Sequence, residues 1–103
     1  MQPLARVTPA TLDALDALLA EPAPVWGLLV VKRSGRPAGS VYPILERLER
    51  LGWLESRWED EPGRSGPRRR LYRLTADGAV AAAELTSRAR SAARGARATE
   101  ATA

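Results

Sequence analysis

Apolar and polar positions alternate along this chain in different rhythms, and each rhythm predicts an element. Leu12, Leu15, Leu18 and Leu19 recur at helical spacing, while Asp13 and Asp16 take the other side. Thr8 as cap and Pro9 at the first helical position mark the start of that helix, and Glu21-Pro22-Ala23-Pro24 breaks it. The next stretch, VWGLLVV, is apolar throughout, and its period fits either a buried strand or a short helix. Gly27 and the ending on Lys32, Arg33 and Gly35 favour helix, since cations suit a helix C-terminus and glycine its exit. After a turn at Gly35-Arg36-Pro37, Val41, Ile44, Leu45, Leu48 and Leu51 fall on one helical face. Ser40 is the expected N-cap of this third helix, with Pro43 in its first turn, where a missing N–H costs nothing. A start at Pro37 would instead put Pro43 inside the helix and bend it. Gly52 ends it.

The rhythm then changes to a period of two. In LESRWED, Leu54, Ser56 and Trp58 alternate with Glu55, Arg57 and Glu59, and in RLYRLT Tyr72 and Leu74 share one face. Between them EPGRSGPRRR, with its Gly, Pro and Arg, must be a loop, so the two strands form a long hairpin. Thr75 caps a last, Ala-rich helix running into the Arg90s, and the polar stretch 95–103 is expected to be a disordered tail. The order helix, helix, turn, helix, two-stranded hairpin, long helix predicts a mainly α winged helix-turn-helix over residues 1–94. The hairpin is the wing, and the long C-terminal helix serves dimerisation.

Composition narrows the chemistry. One domain fits 103 residues, and 45% hydrophobic content supports one modest core. With three Trp, two Tyr and no Phe, aliphatic residues must do most of the packing, and a second copy would help so thin a core. Cys and His are both absent, which removes disulfides, thiolates, the commonest general base and the commonest metal ligand. Lacking a paired-carboxylate constellation as well, the chain reads as no enzyme and needs no cofactor or metal. The net charge of +4 and pI near 10.6 suit an anionic partner. Lys32 is the only lysine; arginine's planar fork binds two acceptors of a phosphate or guanine at once. No apolar run has membrane-spanning length and the N-terminus lacks a leader pattern, so the expected setting is cytoplasmic.

These features place the candidate site. With the apolar stripe of the third helix inward, Ser40, Pro43, Arg47 and Arg50 lie opposite it, beside Gly39. Small residues at the front let the helix approach base edges, and Ser40 and Arg47 supply donors. Tyr42 flanks this face, its hydroxyl set for a phosphate or its ring for the core. Glu46 and Arg50 have the spacing of an i, i+4 pair. Arg64, Arg68, Arg69 and Arg70 crowd the wing tip, where they would meet phosphates or the minor groove. Arg73, in the strand, either joins them or covers an aromatic ring. Trp26 and Trp53 read as core, and Trp58 as core or the rim of an effector pocket. Ala81, Leu85, Ala89 and Ala92, continued by Ala93 and Ala96, line one side of the last helix as a close-packing seam for a second copy. Leu4 and Val7 extend that seam.

The strings GSVYPILERLERLGW and GPRRRLYRLTADG together resemble the PadR family of regulators, the likeness covering roughly residues 24 to 80. Gly39, Ser40, Tyr42, Pro43, Leu45, Leu48 and Gly52 match the first motif, and Gly66, Arg69, Arg70, Tyr72, Leu74, Thr75 and Gly78 the second. Leu29 and Leu71 depart from it, standing where many relatives carry a polar residue and a second Tyr. The resemblance implies a homodimer that represses transcription from a palindromic site on double-stranded DNA, often released by a small-molecule effector. The C-terminal portion is a single Ala-rich helix, like that of short members of the family, without the aromatic residues that line drug pockets in some relatives. The competing function is a winged-helix interaction module whose partner is a sigma factor or another regulator.

Overall fold

A computed structural model describes residues 1–60 and 65–102, with side chains to Thr99. Its elements run α1 (Pro9–Ala20), β1 (Val25–Trp26), α2 (Gly27–Ser34), α3 (Ala38–Arg50), β2 (Leu54–Trp58), β3 (Arg70–Leu74) and α4 (Ala76–Thr102). This is the winged helix-turn-helix order, and Thr8 caps α1 as expected, accepting a hydrogen bond from the Thr11 amide at 3.2 Å. The predicted stripes face one core. Leu15, Leu18, Val30, Val41, Leu45 and Leu48 from the first three helices meet Trp53, Leu54 and Tyr72 from the sheet and Ala82 from α4.

Four expectations are corrected. The ambiguous second segment is both alternatives in turn, two strand residues and then a helix. Val25 and Trp26 add to the free edge of β3, with Val25 opposite Tyr72 and Trp26 opposite Leu71, so the sheet has three antiparallel strands in the order β1-β3-β2. A two-stranded hairpin would leave the amides of β3 unpaired beside the core. The third helix starts at Ala38 with Pro37, not Ser40, at its cap, because the Ser40 and Val41 amides already donate to the Pro37 carbonyl at 2.9 and 3.1 Å. Pro43 therefore lies inside the helix, where it withholds the N–H that the Gly39 carbonyl would otherwise receive.

Trp26 is only half-buried, because β1 is an edge strand with one face open, whereas Trp53 is core at 4% exposure. Finally, α4 continues to Thr102 through the stretch read as a disordered tail. Ala and Arg are strong helix formers, and the single Gly95 costs only about 1 kcal/mol against them. The helix thus projects well beyond the body, and the long dimension of the molecule is 60 Å. No helix among the described residues is long and apolar enough to cross a membrane.

The start of α4 is fixed by a close approach. A Cβ on Gly78 would stand 2.2 Å from the Trp53 carbonyl oxygen and 2.9 Å from Thr75 Oγ1. The Thr75 amide donates to that same carbonyl at 2.9 Å, so the backbone there has no room to retreat. Helix propensity alone would make Gly78→Ala stabilising by up to about 1 kcal/mol. The contact reverses the sign: we expect Gly78→Ala to destabilise by about 2–4 kcal/mol, as overpacking does. Urea unfolding of the variant checks this, and a raised midpoint would show that the junction yields.

Candidate nucleic-acid interface

The front of α3 is open. Gly39, Ser40, Pro43 and Arg47 are exposed, and nothing lies within 4 Å of a Cβ placed on Gly39. Tyr42 stands between the two places expected of it. Its ring packs beside Gly27, where a Cβ would sit 3.1 Å from both Tyr42 and Tyr72, yet it remains 40% exposed. Gly27 thus gives the recognition-type helix its close seat against α2 and the sheet. Glu46 and Arg50 form no ion pair among the described residues. Arg50 instead lines a recess of about 360 Å³ with Arg47, Ala5 and Arg6. Arg6 is an addition to the basic surface that no periodicity or motif flagged, because the N-terminal segment reaches α3 only through folding.

The wing arginines divide by what they touch. Arg68 is exposed, with Nε donating to the Glu59 carbonyl at 3.3 Å, and its guanidinium is otherwise turned to solvent. Arg69 lies over Trp26, 4.0 Å from the ring centroid, with its Nε buried and without a hydrogen-bond partner among the described residues. Arg70 lies 5.0 Å over the Trp58 ring and 3.8 Å from the Glu49 carboxylate. Arg73 covers no aromatic ring among the described residues and stands exposed opposite Glu55 in the sheet. Arg64 falls outside the described residues.

Acidic side chains elsewhere are drawn into pairs: Glu21 with Arg33 at 2.7 Å, Asp13 with Arg36 at 2.8 Å and Asp16 with Arg90 at 3.1 Å. Each pair is partly exposed and adds no more than about 1 kcal/mol. Together they tie α1 to the two turns around α2 and to α4, and they keep those carboxylates away from the α3 front.

The expected dimer seam is split by its own packing. Ala82 and Thr86 turn inward and are buried, Thr86 Oγ1 donating to the Ala82 carbonyl at 2.9 Å. Ala81, Leu85 and Ala89 are half-buried, and Ala92 is exposed. Ala81 and Leu85 line a mainly apolar groove of about 380 Å³ together with Met1, Pro3, Leu4, Val7 and Trp53, with Glu84 and Arg88 also on its lining. The N-terminal segment is pinned beside it by two bonds, Trp53 Nε1 to the Gln2 carbonyl at 2.7 Å and the Gln2 amide to the Leu51 carbonyl at 2.8 Å.

A profile of the transcriptional regulator PadR-like family matches residues 19–84. No curated protein matches the sequence. Among solved structures, the PcaV transcriptional regulator of Streptomyces coelicolor, determined with its natural ligand, is similar with a TM-score of 0.72 and 28% identity over 96% of this chain. A PadR family transcriptional regulator of Eggerthella lenta is similar with a TM-score of 0.67 and 26% identity, over 87% of this chain and 82% of its own. Bordetella bronchiseptica BpsR, whose DNA binding is regulated by 6-hydroxynicotinic acid, shares the fold with a TM-score of 0.69 at 24% identity over 88% of this chain. The chain spans 64% of the PcaV chain and 61% of BpsR.

Behind the front of α3, Tyr72 links the sheet to the wing arginines. Burial pushes its hydroxyl above the usual 10.0; the Arg70 charge opposes that shift, while Glu49 and Tyr42 add to it. A raised value in the fold means the neutral phenol is the favoured form. Its contribution to stability is therefore complete below pH 10.0 and is lost as pH rises through the folded-state value. We expect the thermal midpoint of the wild type to fall more steeply than that of Tyr72→Phe between pH ~9 and ~11. Parallel curves for the two proteins would exclude this coupling.

Proposed function

The chain belongs to the transcriptional regulator PadR-like family, and on that premise we propose that it is a sequence-specific repressor that binds a palindromic operator as a homodimer in the cytoplasm. The observation that carries this reading is the combination of two features: an open α3 front, and an arginine-bearing wing held to the end of α3 through Arg70 and Glu49. In this reading Gly39 and Pro43 let the helix approach the floor of the major groove, Ser40 and Tyr42 contact base edges or the nearest phosphate, and Arg47 reaches phosphate or guanine. At the wing Arg68, with Arg64 beside it in sequence, meets the flanking phosphates. Arg69 and Arg70 contribute charge from the wing's base, on their tryptophan platforms. Selection of binding sites from random duplex DNA at fixed salt tests this reading directly, and a short palindrome is the expected result. Recovery of no preferred site would favour a protein partner instead.

The second copy would sit on the Leu85 groove. Ala81, Leu85, Ala89 and Ala92 offer small side chains for close helix packing, and the exposed Val80 and Val7 flank them. Two-fold pairing there would set the recognition helices about one DNA turn, roughly 34 Å, apart. Leu85→Glu puts a charge into that groove and should yield monomers that bind DNA weakly. Light scattering at micromolar concentration reads the outcome, and a monomeric wild type would dismiss the dimer.

Readout and affinity should separate by residue. Ser40→Ala should change which duplexes are selected, since a base-edge contact discriminates by about 1–3 kcal/mol. Arg68→Ala should weaken specific and unrelated DNA alike and flatten the log–log salt slope by about 0.9 per protomer, because each neutralised phosphate releases a counterion. An unchanged slope in a folded variant would make Arg68 a merely solvated side chain.

A further inference from the structure

Glu49 stands near the end of α3, half-buried and outside the surface assigned to DNA. Its Oε1 accepts the hydrogen bond of the Ser56 hydroxyl and lies 3.8 Å from the Arg70 guanidinium. One carboxylate thus reaches both wing strands, since Ser56 is in β2 and Arg70 in β3. The two sites are locked to each other by register: Ser56 pairs with Tyr72 and Trp58 with Arg70. Arg70 is also held over the Trp58 ring.

The ladder continues past the strands. The Glu59 amide donates to the Arg69 carbonyl at 2.7 Å, and Arg68 Nε donates to the Glu59 carbonyl. Arg68 is therefore joined to α3 through a chain of bonds that begins at Glu49. A partly exposed ion pair of this kind adds little to stability. What it fixes is the angle of the wing.

We propose that Glu49 is a positioning residue that sets the wing arginines relative to the α3 front, so that phosphate contact by the wing and base reading by the helix occur in one docked pose. The proposal rests on the DNA-binding reading above and adds a specificity-determining residue that never touches DNA. It also divides the arginines by role. Arg70, held by Glu49 and the Trp58 ring, anchors the wing, and Arg68 delivers its charge at the tip.

The test is a double-mutant cycle between two residues that do not touch, on the full-length chain and its selected duplex. At 0.1 M salt a lost phosphate contact weakens binding by about eightfold per protomer, from a slope of about 0.9. Arg68→Ala should show that loss in the wild-type background and under about twofold in Glu49→Ala, a coupling that distant independent sites lack. Glu49→Gln keeps an acceptor for Ser56 and should recover most of the Arg68 effect. Should Glu49→Ala lose its helical signal, Ser56→Ala, which removes the other end of the same bond, takes its place with the same expectation.

A second readout needs no DNA. The chain has no cysteine, so spin labels at Lys32→Cys and Asp60→Cys report the distance from α2 to the wing. That distribution should broaden in Glu49→Ala. Equal Arg68 effects in both backgrounds, or an unbroadened distribution, would overturn the proposal. If the wild type selects no duplex, the DNA reading fails by itself, while the label distances still decide whether Glu49 holds the wing.

Discussion

The carbonyl of Trp53 and the hydroxyl of Thr75 form the joint on which the other elements depend. Trp53 O accepts the Thr75 amide at 2.9 Å, Thr75 Oγ1 donates to the Gly52 carbonyl at 2.9 Å, and the same oxygen accepts the Gly78 amide at 3.0 Å. In a few residues the end of α3, the start of β2, the end of β3 and the start of α4 are bound to one another. Gly52 makes the exit from α3 possible, at a φ of 86° that a side chain would strain. The Trp53 indole then reaches back to Gln2, so the N-terminal segment closes over the same point. If this joint shifted, the wing, the projecting helix and the apolar groove beneath it would all move together.

That geometry explains a division in the molecule. The joint binds the end of α3 and the wing strands, which carry exposed basic side chains, to α4 and the groove that Leu85 and Trp53 line. The joint transmits position between them through backbone bonds that do not depend on ionisation. Glu49, by contrast, acts across a partly exposed gap through a charge and one hydroxyl. The protein therefore has a rigid hinge block and a softer clasp, and the wing is attached by both.

Much of this was legible in the sequence because it follows from periodicity and capping. The stripe from Val41 to Leu48, the cap at Thr8, the cap at Thr75 and the alternation at the start of β2 and in β3 appear in the fold, whereas Trp58 at the end of β2 is 51% exposed beneath Arg70 instead of joining the core. The misreadings share a physical reason, which is that tertiary pairing outvoted local signals. Val25 and Trp26 became a strand because β3 had a free edge, something no local window can contain. Ser40 lost the cap to Pro37 because the preceding turn already supplied the first carbonyl. The stretch 95–102 is helix because the Ala and Arg residues there carry helix propensity, which outweighs the polarity that suggests a tail. Arg6 and Glu49 went unflagged for the same reason: Arg6 gains its meaning from Arg47 and Arg50, and Glu49 from Ser56 and Arg70, neighbours that belong to other elements and meet them only in the fold.

The arginines show why counting charges could not have located the site. Arg33, Arg36, Arg70 and Arg90 each face a carboxylate, in pairs with Glu21, Asp13, Glu49 and Asp16. Removing four neutral pairs leaves the formal charge of +4 unchanged but places it on the remaining surface. Arg69 and Arg70 spend their planar faces on tryptophan, a use open to guanidinium because it is weakly hydrated and flat. A lysine at either position would keep the charge and lose the platform. The wing is thus built from one residue type in two roles, stacked arginine at the base and solvated arginine at the tip. The stacking also limits the side-chain freedom that ordering on an anion would otherwise cost. For that reason the base of the wing, rather than its tip alone, determines where the tip arginine stands.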